Sequence, residues 1–237
     1  MAGDLEQDKT DALVATAKSV LGAVPFAGPL LSELVGSLIP NQRLDRLTKY
    51  VKELEARLSR IDREKIDNAL NSEEGIDLFE EGFVQASRSL TDERRKYIAN
   101  VVANGVDDKT VEYSESKYIL KLLQELNEQE IIWLRFFMDP TIDGDEEFRE
   151  KHRNIFDPVR VNLGSDERTI EKASLQDSYK DHLERLGLIR SHYRTDRNTG
   201  MPAFDKFSGK LSVSYRDLTP IGQMILKQIG FTDENNG

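Results

Sequence analysis

The chain of 237 residues contains no cysteine, only three histidines and a single tryptophan. The absence of cysteine excludes disulfide bonds, thiolate metal sites and cysteine nucleophiles, and it is typical of a reducing compartment. The histidines are His152, His182 and His192, and they form no His-x-x-x-His or Glu-x-x-His pair of the kind that binds zinc. We therefore expect no metal site, and we interpret the histidines as structural or solvent-exposed.

Signatures of enzymes are missing as well. No glycine-rich phosphate loop occurs, since Gly22, Gly28 and Gly36 stand in an apolar segment without a following Lys-Ser or Lys-Thr. The segment Asp143–Glu146 lacks the alternating ligands and distal glutamate of a calcium loop. The remaining carboxylates fall in first turns and polar faces of predicted helices. We expect no cofactor and no catalytic residue, and thus a protein that is not an enzyme.

Long apolar runs and excess positive charge are also absent. A membrane-crossing helix needs roughly 20 unbroken apolar residues, whereas Pro25 and Pro29 interrupt the most apolar segment, residues 12–39. The first residues are acidic where a secretion signal is basic, and Gly3 does not fit the myristoylation pattern. The net charge of −10 argues against attraction of the whole protein to nucleic acid or anionic lipid.

Residues 12–39 predict an apolar hairpin of two helices, with Lys18 and Glu33 as its only charges. One interpretation is a hairpin buried in a helical bundle. The other is a hairpin that inserts into a membrane after a trigger, with small residues that allow close helix contact. The side chains that either interpretation uses are Leu13, Val20, Leu21, Leu31, Leu34, Val35 and Leu38. In the resting protein we expect this hairpin to be covered, because monomers rarely expose large apolar patches.

Residues 41–70 predict one long helix with an apolar seam. The seam residues recur with spacings of 3, 4, 3, 4 and 3 and are Leu44, Leu47, Val51, Leu54, Leu58 and Ile61. Such a seam either packs within its own domain or pairs with a second copy of the chain. Lys65 and Asn68 would occupy the next seam positions, which limits a coiled coil to this stretch.

The start and stop signals of further helices divide the chain into two domains. Ser72 and Thr91 each precede acidic residues and predict helix N-termini, and Asn104-Gly105 predicts a stop. The polar connector 106–112 separates a helical domain, 1–110, from a second domain, 114–230. In the second domain, Ser114 predicts a helix start and Asn127-x-x-Glu130 a capping box. The helix that follows carries Trp133, Phe136 and Phe137, which we interpret as core, and one more helix is expected around Glu146–Phe156.

Residues 174–230 predict a winged-helix-like order of elements. Ser174-x-x-Asp177 predicts a helix start, and Gly187 a stop followed by a strand. Strands are expected near 188–194 and 211–217, and Thr219-Pro220 predicts the start of a closing helix. The predicted fold class is therefore mostly α: an N-terminal helical bundle with an apolar hairpin, and a C-terminal winged-helix-like domain with one small antiparallel β-hairpin.

The predicted wing is basic. It holds six cations against Asp196 and Asp205, interleaved with aromatic residues, and the cations are Arg190, Arg194, Arg197, Lys206, Lys210 and Arg216. Such a hairpin can follow a phosphate backbone. The preceding helix, however, carries Asp177, Asp181 and Glu184 against two cations, which is a poor match to DNA. The wing is thus either a protein-contact module or a nucleic-acid contact that the net charge disfavours.

In order along the chain, several short motifs resemble the bacterial abortive-infection alpha family over residues 75–230. They are Ser116-Lys117-Tyr118-Ile119 with Leu122 and Leu126, the Asn127–Ile131 helix start, Leu183–Ile189, and Leu218–Gly222. This resemblance implies a cytoplasmic bacterial protein of phage defence that perturbs the infected cell. It implies no catalytic residues.

Together these patterns favour a non-enzymatic, toxin-like defence protein that acts through protein contacts and through disruption of the inner membrane by the 12–39 hairpin. The alternative is a winged-helix transcriptional regulator with the N-terminal bundle as its dimerisation unit. In both cases we expect a cytoplasmic homo-oligomer, which in the first case associates with the inner membrane on activation. Its trigger and its protein partner are not specified by the sequence.

Overall fold

The computed structural model describes Pro25 and residues 43–108, 112–140, 144–162, 164–196, 199–204 and 209–231. The predicted 12–39 hairpin, Pro25 apart, lies outside these residues, and so do Arg197 and Lys206. The described chain is mostly α-helical with one antiparallel two-stranded sheet, which confirms the predicted fold class. Within the same ranges, no helix combines the length and the hydropathy needed to cross a bilayer.

Two compact units make up the chain. The first ends at Glu125 and also takes in Gln228–Gly230, and the second begins at Leu126 and includes the hairpin. The predicted boundary at the 106–112 connector therefore lies one helix too early. The physical reason is that the helix after the connector buries Leu120 and Leu123 against helices of the first unit. A polar connector marks a loop, but it does not show which core the next helix joins.

The first unit contains five described helices: α1 Leu44–Leu58, α2 Arg63–Leu70, α3 Glu73–Arg88, α4 Asp92–Asp107 and α5 Tyr113–Glu125. The predicted caps are confirmed for α3 and α4, since the Ser72 side chain accepts a hydrogen bond from the Gly75 amide and the Thr91 side chain accepts one from the Arg94 amide. Asn104-Gly105 does not stop α4. Gly105 instead lets Ser116 and Leu78 approach closely, with Ser116 Oγ 2.5 Å from where a Cβ would stand.

The predicted long helix 41–70 is two helices. A turn at residues 59–62 separates α1 from α2, with the Ile61 amide bonded to the Leu58 carbonyl at 2.9 Å. A continuous helix would carry Lys65 and Asn68 into the core. The turn changes the direction of α2, and as a result Ile66 and Ala69 are the buried residues.

The seam of α1 packs within its own unit. Leu47, Val51, Leu54 and Leu58 have no exposed surface, and α1 packs on α3 and α4. Ile61 is half-buried in the turn, and the side chain of Leu44 is outside the described set. Of the two interpretations of the seam, the described structure supports the internal one. Self-association through Leu47, Val51, Leu54 and Leu58 would require opening this core.

The second unit holds α6 Glu128–Phe136, α7 Glu146–Lys151, α8 Arg153–Phe156, α9 Glu167–Arg185, β1 Ile189–Tyr193, β2 Val213–Leu218 and most of α10 Pro220–Ile229. The capping box at α6 is confirmed, with both the Asn127 and the Glu130 side chains bonded to the other residue's amide. The single helix expected around Glu146–Phe156 is divided at His152.

Helix α9 begins seven residues before the predicted start at Ser174. Its N-cap is Asp166, whose carboxylate accepts a hydrogen bond from the Thr169 amide at 2.9 Å. That hydrogen bond also holds the pKa of Asp166 below its usual range. Ser174 lies inside the helix and donates to the Ile170 carbonyl at 2.9 Å. A Ser-x-x-Asp pattern thus also occurs within a helix, where the hydroxyl bonds the preceding turn.

Candidate interaction surface on the hairpin

The hairpin is held by a short set of local contacts. Gly187 takes φ +72° and ends α9, as predicted, and the chain turns directly into β1. Strand β1 pairs with β2 in antiparallel register from Ile189↔Leu218 to His192↔Tyr215, followed by a bulge. Thr219, the predicted cap of α10, donates its hydroxyl to the Gly187 carbonyl at 2.6 Å and accepts from the Gly222 amide. The two strands lie where the sequence predicts them.

Glu184, in the last turn of α9, fixes β1 in place. Its carboxylate accepts hydrogen bonds from the Ser191 amide at 3.2 Å, the Ser191 hydroxyl at 2.6 Å and the Tyr193 hydroxyl at 3.3 Å. In the sequence, Glu184 is a negative charge that disfavours DNA and a member of the Leu183–Ile189 motif, and neither indicates this contact. Its positioning role depends on contacts seven and nine residues away across a helix–strand turn, for which the sequence carries no signal.

In the described part of the hairpin four large apolar side chains are exposed to solvent, and we call them the hairpin face: Tyr193, Met201, Phe204 and Tyr215. Their exposed fractions are 46%, 68%, 64% and 57% respectively. The Tyr215 ring stacks on His192, with centroids 4.2 Å apart and planes 9° apart. Each of these four side chains is therefore accessible to a partner.

Two of the predicted nucleic-acid cations are paired with aspartates. Arg190 Nη2 lies 2.8 Å from Asp217 Oδ2, and Lys210 Nζ lies 2.7 Å from Asp181 Oδ2. The hydrogen bond from Arg190 holds the pKa of Asp217 below its usual range, and that to Asp181 raises the pKa of Lys210. A phosphate would therefore compete with a carboxylate at each of these cations.

The other predicted cations differ from one another. Arg194 is exposed, whereas Arg216 is half-buried and its Nε, within the described chain, has no hydrogen-bond partner. Arg197 and Lys206 belong to the undescribed part of the hairpin. The described hairpin thus brings together exposed aromatic and methionine side chains, but it presents fewer available cations than its sequence indicates.

The histidines and acids form no metal site in the part of the chain that the structure describes. His182 Nδ1 lies 2.7 Å from Glu130 Oε1, and His192 Nε2 lies 3.1 Å from Asp217 Oδ1. His152 packs against the Phe148 ring, with centroids 4.7 Å apart. Burial lowers the pKa of His152, which favours its neutral form. Each histidine is thus in contact with a neighbouring side chain of the second unit.

Trp133 and Phe137 are buried, which confirms their interpretation as core, and Phe136 is half-buried. The ammonium of Lys180, on α9, lies 4.3 Å from the centre of the Trp133 ring. Burial lowers the pKa of Lys180, although Asp177 opposes this effect. An ammonium over an indole ring is also stabilised by the ring's quadrupole.

This arrangement predicts a pH-dependent signal from the single tryptophan. Folded Lys180 loses its proton below the usual lysine value of about 10.4, and the emission of Trp133 should change over that range. In the same window the unfolded chain still binds the proton, so the free energy of unfolding should rise with pH. The emission of Trp133 is measured against pH for the wild type and for Lys180→Arg, which stays charged and should show no such change. Identical profiles for the two proteins would contradict it.

Comparisons of the chain with family models, with curated proteins and with solved structures found no match. The resemblance to the abortive-infection alpha family thus stays an expectation that rests on the short motifs of the sequence.

Proposed function

We propose that this protein is a non-enzymatic, cytoplasmic defence protein of the abortive-infection type, which acts through protein contacts made by its hairpin face. The observation that carries the proposal is the exposure of Tyr193, Met201, Phe204 and Tyr215 on a hairpin whose cations Arg190 and Lys210 are already paired. Aromatic residues and methionine are enriched at protein interfaces. The resemblance in sequence supplies the defence context.

Electrostatics favour a protein partner over DNA. Each phosphate contact by Arg190 or Lys210 would have to break a short ion pair, and α9 presents Asp177 and Asp181 near Lys210. The net charge of −10 adds a repulsion that acts at longer range. A protein surface, in contrast, can accept both the aromatic side chains and the paired charges at its rim.

A plaque assay tests the proposal. Bacteria that express the wild type are challenged with a panel of phages and compared with cells that express Met201→Ser/Phe204→Ser. We expect the double variant to lose most of the protection, since the few side chains that dominate an interface each contribute about 2 kcal/mol or more to binding. The matched control is Leu90→Ser, which changes a side chain that is 79% exposed in the first unit. Equal protection by the wild type and the double variant, or no protection by the wild type against any phage, would contradict the proposal.

The alternative, a DNA-binding regulator, has one specific observation in its favour, the exposed Arg194. Its test is a fluorescence titration of a mixed-sequence duplex at low salt. If the alternative is right, Arg194→Ala lowers the salt slope of binding by roughly one. Undetectable binding at low salt would exclude it, because the electrostatic attraction that precedes specific recognition would be missing.

The proposal includes a route to toxicity through the apolar segment 12–39. Its support is compositional: two charges in 28 residues, against 32% charged residues in the whole chain. Dye leakage from liposomes of bacterial lipid is measured with the wild type and with Leu31→Glu/Val35→Glu. We expect leakage only from the wild type, because two carboxylates oppose insertion into the bilayer. Equal leakage from both proteins, or no leakage after any trigger, would contradict the membrane route. It would not bear on the protein contacts proposed for the β1–β2 hairpin.

Self-association is the last part of the proposal. Because the α1 seam is buried within one chain, a homo-oligomer would form through another surface. Light scattering of the purified protein over a range of concentrations tests it, and a monomer mass throughout would contradict it.

A further inference from the structure

The second unit has another surface, at the C-terminal end of α6, whose chemistry differs from that of the hairpin face. A groove of about 670 Å³ lies where the end of α6 meets α7 and α8. Phe136 and Phe156 line it, together with the carboxylates of Glu146, Glu147, Glu150 and Asp157. Both rings are half-buried, and their centroids are 5.0 Å apart. An aromatic surface edged with carboxylates is an environment that attracts cations.

Several aromatic rings of this unit already have a lysine or arginine of the chain over their faces. Arg135 lies 4.0 Å from the centre of the Phe148 ring, and Arg149 lies 5.1 Å from that of Phe136. Arg135 also lies 4.7 Å from the centre of the Phe231 ring, and Lys180 lies over Trp133, so four rings among the described residues of the unit carry a cation. Within the described residues, none lies over Phe156, although its ring contacts Trp133 at 5.1 Å between centroids. Phe156 is therefore an aromatic ring of the groove over which no cation of the described residues lies.

The carboxylates around Phe156 are only weakly engaged. Glu146 and Glu147 are exposed in the first turn of α7 and, in the described ranges, form no ion pair. Glu150 and Asp157 share the exposed Arg153 at 3.6 and 3.9 Å, distances longer than those of the hairpin pairs. Exposed pairs of this kind contribute little to stability and can exchange partners. With Arg149 and Arg153 included, the groove keeps an excess of negative charge.

We propose that this groove binds an arginine side chain from a basic segment of a protein partner, with the guanidinium over Phe156 and its N–H groups on the carboxylates of Glu147 and Glu150. Arginine fits better than lysine because its planar guanidinium stacks on a ring and donates to carboxylates at the same time. The negative charge of the groove and of the whole chain complements a basic segment and disfavours a nucleic acid. This inference does not depend on the hairpin face.

The probe is the peptide acetyl-Gly-Arg-Gly-Arg-Gly-amide, with a citrulline version as the neutral isostere. Calorimetry gives the affinity, and the emission of Trp133, the single tryptophan of the chain, reports binding next to Phe156. We expect saturable binding of the arginine peptide together with a change in emission, and neither with the citrulline peptide. Equal binding of both peptides, or no binding of either by both methods, would overturn the proposal.

Matched variants locate the site. Phe156→Leu keeps an apolar side chain and removes the ring, and it should weaken binding by about threefold or more. Glu147→Gln should weaken it by about twofold, whereas Glu171→Gln, an exposed carboxylate on α9, should leave it unchanged. Phe156→Tyr keeps the ring and should retain binding, which separates loss of the site from loss of the fold. If Glu171→Gln weakens binding as much as Glu147→Gln does, the attraction is that of the whole acidic chain and the groove is not a site.

Discussion

Gly222→Ala is expected to lower the free energy of unfolding by about 3 kcal/mol, at the upper end of the costs of overpacking. A Cβ on Gly222 would overlap the backbone carbonyl oxygen of Leu188 and approach Leu218 Cδ2 to 3.1 Å. The Leu188 oxygen cannot move aside, because it accepts a hydrogen bond from the Thr219 amide at 3.1 Å. Helix propensity alone would make alanine the more stable residue by about 1 kcal/mol. The sign of the change therefore tests the contact between α10 and the hairpin.

Urea unfolding followed by circular dichroism measures the change, and Gly209→Ala is its control. Gly209 takes φ +67°, and no atom of the described residues lies within 4 Å of the position of a Cβ. Its replacement should therefore cost about 1 kcal/mol, the penalty of a left-handed conformation alone. A Gly222→Ala protein as stable as the wild type would show that the start of α10 does not pack on the hairpin as described.

Phe83→Ala is expected to destabilise the first unit by about 3 to 5 kcal/mol. Phe83 has no exposed surface, and its ring meets that of Tyr50 edge to face, with centroids 5.7 Å apart and an interplanar angle of 86°. Truncation leaves a cavity beside Tyr50, and Tyr50 cannot turn to solvent because it is itself fully buried. Since domains have a total stability of about 5 to 15 kcal/mol, this single change removes a large part of it.

The same urea titration measures this loss, with Leu90→Ala as the matched control. Leu90 is 79% exposed, so its truncation should change the free energy of unfolding by less than about 0.5 kcal/mol. A loss below about 1 kcal/mol for Phe83→Ala would mean that α3 does not pack on α1 through this ring pair.

Most local signals of the sequence predicted the structure correctly, although the Asn104-Gly105 stop and the Ser174 start did not. The caps Ser72, Thr91 and Asn127, the stop at Gly187 and the Thr219-Pro220 start all involve atoms within about one helical turn of each other, and the structure confirms them. A capping hydroxyl and its amide are neighbours in any chain that forms the helix. The residue types alone were therefore sufficient to predict these elements.

Predictions that depend on competition between elements were less accurate. Residues 41–70 fit one helix by period, yet the chain breaks at residues 59–62 because Ile66 is buried by a redirected α2. Helix α5 follows a polar connector but joins the first core through Leu120 and Leu123. Periodicity shows that a face is apolar, and it does not show which surface will cover that face.

The candidate surface on the hairpin was likewise predictable only in part. The exposed aromatic residues of the hairpin could be anticipated from their alternation with polar residues between the two strands. The pairing of Lys210 with Asp181 and of Arg190 with Asp217 could not, because the partners are 29 and 27 residues apart and meet only after the hairpin folds back. A charge count along the sequence therefore overestimates the cations that a ligand can use.

The membership of Gln228–Gly230 in the first unit has a consequence for synthesis on the ribosome. The Asn100 side chain donates to the Ile229 carbonyl at 2.7 Å, and that of Asn104 to the Gln228 carbonyl at 3.1 Å, across 129 and 124 residues of sequence. Helices α1 to α5 are made long before these carbonyls, since at about 5 to 20 residues per second the roughly 100 intervening residues take about 5 to 20 s. During that interval the side-chain amide groups of both asparagines lack these acceptors and donate to water instead. Maturation of the amino-terminal unit thus awaits synthesis of Gln228 and Ile229, and a nascent chain truncated before Gln228 would carry this unit in an unfinished form.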